Sequence, residues 1–221
     1  MSVDNTGTCK PTVTSGGATP DYSPSKKRKK NGRPAGRPVG TGGQAPALTP
    51  AQVRVLLTVA GAGENGPRNV ALLSLCLCGC RVSEPLCLRK RDVVDQRAAV
   101  ADSFVLPAWA TKDGEHRRVY LTVPAKKALG AYLGSVDFDD ARLFPVSANY
   151  AVQLVKALMQ RANVPGSSHS LRRTCATWLQ ERGVAPRFIQ QTLGHSSLST
   201  TMEYLEASPV NVEKAMATLT W

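Results

Sequence analysis

His169-Ser-Leu-Arg172-Arg-Thr174, Leu193-Gly194-His195 and Thr201-Met-Glu-Tyr204 are the runs whose reading decides the fold. His169 and Arg172 lie three apart, so a helix places them on one face. Leu171, Cys175 and Trp178 fall on another face, at the spacing of a core stripe. Gly183 ends that helix and Pro186 suits the first turn of the next. Gly194 ends the second helix and leaves His195 at the turn. Tyr204 belongs to a third short helix, opened by Ser199 or by a Thr200/Glu203 capping box.

These side chains have complementary chemistry. Arginine is a permanent planar cation suited to phosphate oxygens. Histidine takes or gives a proton near neutral pH. A tyrosine hydroxyl needs such help before it can attack anything. Together they describe phosphoryl transfer to a protein nucleophile.

In this order, with the tyrosine nine residues after His195, the runs resemble the C-terminal half of a tyrosine recombinase (phage integrase family) catalytic domain. A second run extends the resemblance. Gly79-Cys-Arg81-Val-Ser83-Glu84-Pro85-Leu-Cys-Leu88 is similar to the family's first motif, and Arg81 falls on its first arginine. Ser83 is expected to cap a following helix with Glu84 and Pro85 in its first turn, where a missing N–H costs nothing. A third run, Thr111-Lys112-Asp-Gly-Glu-His116-Arg117, matches the family's lysine turn. His116 is expected to touch phosphate or solvent.

The rest of the chain is consistent with one such domain over 48–221. Thr49 and Pro50 predict a helix start at the head of Leu48–Leu57. The cluster 61–67 reads as a loop, and Arg68–Cys78 as a helix apolar all round, hence central. Phe104–Thr111 and Arg117–Val123 read as strands of a small antiparallel hairpin around Asp113-Gly114. Lys126–Leu133 and Tyr150–Ala162 read as helices, the latter with Val152, Val155, Leu158 and Met159 inward. Val210–Leu219 reads as an amphipathic tail that packs on its own domain or on a neighbour's. The expected class is α+β, mainly α-helical.

Residues 1–47 read as a disordered basic arm, rich in Gly, Ser, Thr and Pro. They hold eight basic and two acidic residues, half of the chain's net charge of +12. Lys26, Lys27, Arg28, Lys29, Lys30, Arg33 and Arg37 form its dense part, expected to bind DNA. The repeated Gly-Arg-Pro resembles an AT-hook, an extended element for the A·T-rich minor groove. A solvated tail that binds phosphates without preference, and a nuclear-targeting signal, are the other readings.

Net charge +12 in 221 residues points to a polyanion, nucleic acid first. No apolar run is long enough to span a bilayer, and no leader pattern opens the chain, so a cytoplasmic protein is expected, in a bacterial, phage, plasmid or archaeal setting. Cys76, Cys78 and Cys80 lack zinc-type spacing, and Cys9, Cys87 and Cys175 lack companions; all read as small apolar residues.

What the resemblance implies is a DNA strand-exchange enzyme. Tyr204 attacks a phosphorus of double-stranded DNA to leave a 3′-phosphotyrosyl bond, and Arg81, Arg172 and His195 hold the non-bridging oxygens. Lys112 protonates the leaving 5′-oxygen, and His169 assists as acid or base. Neither metal, ATP nor another cofactor is expected. Strand exchange implies a tetramer on DNA. Residues 1–47 are too short and too polar for the family's usual N-terminal core-binding domain. Either the basic arm supplies that grip, or an accessory protein or second recombinase does, or strand exchange is weak. Type IB topoisomerase-like relaxation, or a non-catalytic DNA-binding regulator on the same fold, are the rival readings.

Overall fold

The computed structural model describes residues 45–135 and 142–195. Among them are six α-helices and one two-stranded antiparallel sheet. The expected class, α+β and mainly helical, is what the structure has.

Helix α1 (Pro50–Gly61) starts where the sequence places it. Thr49 and Gln52 exchange bonds, the Gln52 N–H reaching Thr49 Oγ1 at 3.2 Å and the Thr49 N–H reaching Gln52 Oε1 at 2.8 Å. This capping box satisfies donors that the first turn leaves orphaned. Helix α2 (Gly66–Leu77) buries eight of its twelve residues, among them the consecutive run Ala71–Cys76. It packs against α1, α3 (Val123–Leu133) and α5 (Ser168–Glu181), which makes it the central rod of the domain. The buried N–H of Leu48 donates to Thr174 Oγ1 at 2.8 Å, fastening the chain ahead of α1 to α5.

Three local expectations need correction. No α-helix follows Ser83: Glu84–Cys87 is a single 3₁₀ turn, and Ser83 makes no side-chain cap. The chain then runs extended, its Leu88 carbonyl accepting from the Leu143 N–H at 2.8 Å. The strands are also shorter than read. β1 (Ser103–Leu106) pairs with β2 (Arg117–Tyr120), Leu106 opposite Arg117, because Pro107 cannot donate to the ladder. Residues 107–116 therefore form a long connection with a 3₁₀ turn at Ala108–Ala110 rather than a tight hairpin. In α4 (Ala148–Arg161), Val155, Leu158 and Met159 are buried but Val152 is exposed; Ala151 takes the inward place one turn before Val155.

Cys76, Cys78 and Cys80 are buried among apolar residues, and burial pushes the thiols of Cys76 and Cys175 up to about 12. They are protonated packing groups at neutral pH, as read. The helix α6 (Pro186–Leu193) closes a small second cluster, in which Ile189 and Leu193 pack on Ala176 of α5. No helix among the described residues is long and apolar enough to cross a membrane.

Candidate active site

The site is assembled around one carboxylate. Glu84 is 1% exposed and lies at the start of its 3₁₀ turn. The backbone N–H of Arg81 donates to its Oε2 at 2.7 Å, and Arg81 Nη1 donates to its Oε1 at 2.7 Å. Arg117 Nη2 donates to Oε2 as well, and Arg172 Nη1 stands 4.0 Å from the same oxygen. Three guanidiniums thus surround one anion. At 4 Å a unit pair interacts by about 4 kcal/mol at an effective dielectric near 20. One carboxylate offsets only part of the mutual repulsion of the three guanidiniums.

The three arginines differ in exposure. Arg172, 3% exposed on α5, sends Nη1 to the Gly79 carbonyl at 2.7 Å and Nη2 to the Leu193 carbonyl at 2.5 Å. Arg117, 6% exposed on β2, sends Nη1 to the Gly79 carbonyl at 3.2 Å and to the Thr192 carbonyl at 2.8 Å. Arg81 is the outermost and lines an open cleft of about 930 Å³. Gly79 has φ +93°, a conformation that favours glycine, and a Cβ there would come within 3.2 Å of Leu193 Cδ2. That glycine lets the α2 terminus turn its carbonyl towards both buried arginines.

His195 follows Gly194, which ends α6 at φ +64°. Its carbonyl accepts from Gln190 Nε2 at 2.9 Å, and its N–H donates to the Gln190 carbonyl at 3.1 Å. The ring is 8% exposed and lines the cleft beside Arg81. Burial first, then the cations of Arg172 and Arg81, push its pKa from 6.5 down to about 4. At neutral pH it is an uncharged imidazole, with one ring N–H available to donate.

Arg81, Arg172 and His195 are therefore brought together as the motifs imply. Lys112 is exposed on the connection between the strands; its neighbours Thr111 and Asp113 line the cleft, as does His116. Asp113 Oδ2 lies 3.7 Å from Arg81 Nη2. His169 is exposed in the first turn of α5, one turn before Arg172, and is not among the cleft-lining residues. Tyr204 and the arm residues Lys26 to Arg37 lie outside the described residues, as does the Val210–Leu219 tail.

Two members of the site were not singled out from the sequence. Glu84 reads there as a first-turn acid, and Arg117 as the end of a turn motif. The signal for Arg117 was present: strict alternation puts it on the same side of β2 as buried Val119.

A mainly helical domain that buries a carboxylate beneath three guanidiniums, beside a neutral histidine in an open cleft, is built to receive an oxyanion. The chain belongs to the phage integrase family, whose model matches residues 46–210. It is 34% identical to the tyrosine recombinase XerA of Thermococcus kodakarensis over 178 residues, covering 76% of this chain and 61% of that one. With the tyrosine recombinase XerD of Mycobacterium tuberculosis it shares 35% identity over 179 residues, 72% of this chain and 55% of the relative. The chain thus spans about three-fifths or less of these relatives' length. A crystal structure of XerA recombinase superposes with a TM-score of 0.62 at 27% identity, over 80% of this chain and 65% of that one. The catalytic domain of bacteriophage HP1 integrase shares the fold, with a TM-score of 0.59 at 22% identity over 79% of this chain and 95% of that domain.

Proposed function

We propose that this chain is a site-specific DNA recombinase that cuts and rejoins duplex DNA through a 3′-phosphotyrosyl bond on Tyr204. The observation that carries this reading is the triad of guanidiniums on Glu84, with Arg81 opening to the cleft beside His195. The names of its relatives agree with it, and one protein of the same fold, XerH, has been crystallised with its palindromic difH substrate.

In this mechanism the phenolic oxygen of Tyr204 bonds to phosphorus while the bond to the 5′-oxygen breaks. Negative charge grows on the two non-bridging oxygens, and fixed positive charge is most effective there. Arg81 meets those oxygens from the cleft, His195 donates a hydrogen bond, and Arg172 acts from beneath. Lys112, on its exposed connection, reaches in to protonate the departing 5′-oxygen, and His169 takes the phenolic proton. The phosphotyrosine conserves the bond energy, so neither ATP nor a metal ion is needed. Recombination of two duplexes takes four such subunits on DNA, with the basic arm or an accessory protein supplying grip beyond the catalytic domain.

The experiment is covalent capture. In EDTA, the protein is mixed with a pool of nicked duplexes of randomised sequence, whose short 3′ fragments diffuse away after cleavage. A detergent-stable adduct that maps to Tyr204 and is lost in Tyr204→Phe is expected. An adduct that persists in Tyr204→Phe, or one that depends strictly on Mg²⁺, overturns the mechanism. Relaxation of supercoiled plasmid by monomers without site preference would point to the topoisomerase reading, and tight binding with no adduct to the regulator.

A further inference from the structure

Resting on that reading, we infer that Arg117 is a positioning residue for the cleavage step, locking the first arginine motif and the histidine turn into one geometry. Its guanidinium bonds to parts of both. Nη2 holds Glu84, the carboxylate that also holds Arg81, and Nη1 spans the carbonyls of Gly79 at 3.2 Å and Thr192 at 2.8 Å. Its stem completes the lock. A Cβ on Gly194 would lie 2.5 Å from Arg117 Cδ, so the glycine before His195 leaves the space that this arginine fills.

The energetics separate positioning from stability. Arg117 Nε is the one buried side-chain nitrogen or oxygen among the described residues that has no partner. An unpartnered N–H and a desolvated cation both cost free energy, which offsets part of what the fork's three bonds contribute to stability. Loss of Arg117 also leaves Glu84 with two other guanidiniums, Arg81 at 2.7 Å and Arg172 at 4.0 Å, so no charge is stranded. What methionine or lysine cannot reproduce is a planar fork that reaches three acceptors at once.

The test compares Arg117→Met and Arg117→Lys with the unaltered chain on a nicked duplex recovered from the capture pool. Single-turnover rate constants at saturating protein do not depend on the folded fraction, so a variant that folds poorly is still read. Both variants are expected to cleave about 100-fold more slowly while DNA affinity stays within about threefold, a loss confined to the step after binding. The slowing should persist on a duplex with a 5′-bridging phosphorothiolate, whose leaving group needs no proton. Rates like the parent's in either variant, loss of affinity in parallel with rate, or relief by the thiolate each overturn the assignment. The last would place Arg117 with the Lys112 connection alone. If the parent chain forms no Tyr204 adduct, the recombinase reading itself has failed, and that outcome is distinct from these.

Discussion

Arg172 and Arg117 donate to the same acceptor: the Gly79 carbonyl lies 2.7 Å from Nη1 of one and 3.2 Å from Nη1 of the other. One arginine comes from α5 and the other from β2, so a single peptide oxygen at the end of α2 joins the three parts of the domain. Arg81 begins two residues later. Its position relative to the buried pair is thus set by one turn of backbone and by Glu84.

Glu84→Gln should be costlier than Arg117→Met, which leaves the carboxylate two other guanidiniums. The glutamine keeps the shape but leaves three guanidiniums without their common anion. Removing one partner from a buried charge network costs about 3–5 kcal/mol. A urea titration should show that loss in the midpoint with an unchanged slope, and cleavage should fall further than folding does. If the variant unfolds at the parent's midpoint, the carboxylate is not what holds the arginines.

His195 gives the domain an acid sensitivity of definite sign. Its folded pKa of about 4 lies below the ordinary 6.5, owing first to burial and then to Arg172 and Arg81. Between those values the unfolded chain binds the proton and the folded one does not. Stability is fully present above 6.5 and declines as pH falls from 6.5 towards 4. His195→Gln has no such proton to exclude. Urea midpoints taken from pH 7 to pH 5 should fall more steeply for the parent than for the variant; parallel lines would mean that His195 takes up its proton as readily in the folded state as in the unfolded chain.

How much of this was legible beforehand depends on whether a residue's role is local. Thr49, Pro50, Pro186 and Gly194 act within one turn, and their helix ends fall where the sequence puts them. Arg81, Arg172 and His195 stand in short motifs whose order identifies them. Glu84 and Arg117 are 33 positions apart, and their pairing exists only after β2 packs against the Gly79 turn. From the sequence Glu84 reads only as a first-turn acid and Arg117 only as the end of a turn motif, with nothing to link the two. The reading of Val152 as inward failed as well. The buried stripe of α4 is Ala151, Val155, Leu158 and Met159, and Val152 falls outside it.

Lys112 is exposed in the free protein, and its role is separable from phosphate binding by leaving-group chemistry. Lys112→Ala should slow cleavage of an ordinary duplex by roughly 10²–10⁴, the usual range for a lost general acid. On a 5′-bridging phosphorothiolate most of that loss should vanish, because a thiolate departs without a proton. Equal losses on both substrates would make Lys112 a phosphate ligand.

The final prediction concerns the arm, where Lys26, Lys27, Arg28, Lys29, Lys30, Arg33 and Arg37 crowd into twelve positions. Each phosphate that such a residue neutralises releases counterions, changing the slope of log K against log salt by about 0.9 on duplex DNA. If the arm supplies grip, deleting 1–47 should flatten that slope by roughly 4–6 units and weaken binding sharply at moderate salt. The cleavage rate at saturating protein should survive, since Arg81 and every other proposed catalytic residue follow the arm. Entry of Gly-Arg-Pro into the minor groove adds a sequence dependence that charge alone lacks. The loss should then be larger on A·T-rich flanks, and netropsin should compete with the full chain but not with the truncated one. An unchanged salt slope would make the arm a bystander and move the grip to the catalytic domain or to a partner protein. A flattened slope with no flank preference would keep the phosphate contacts and remove the groove reading.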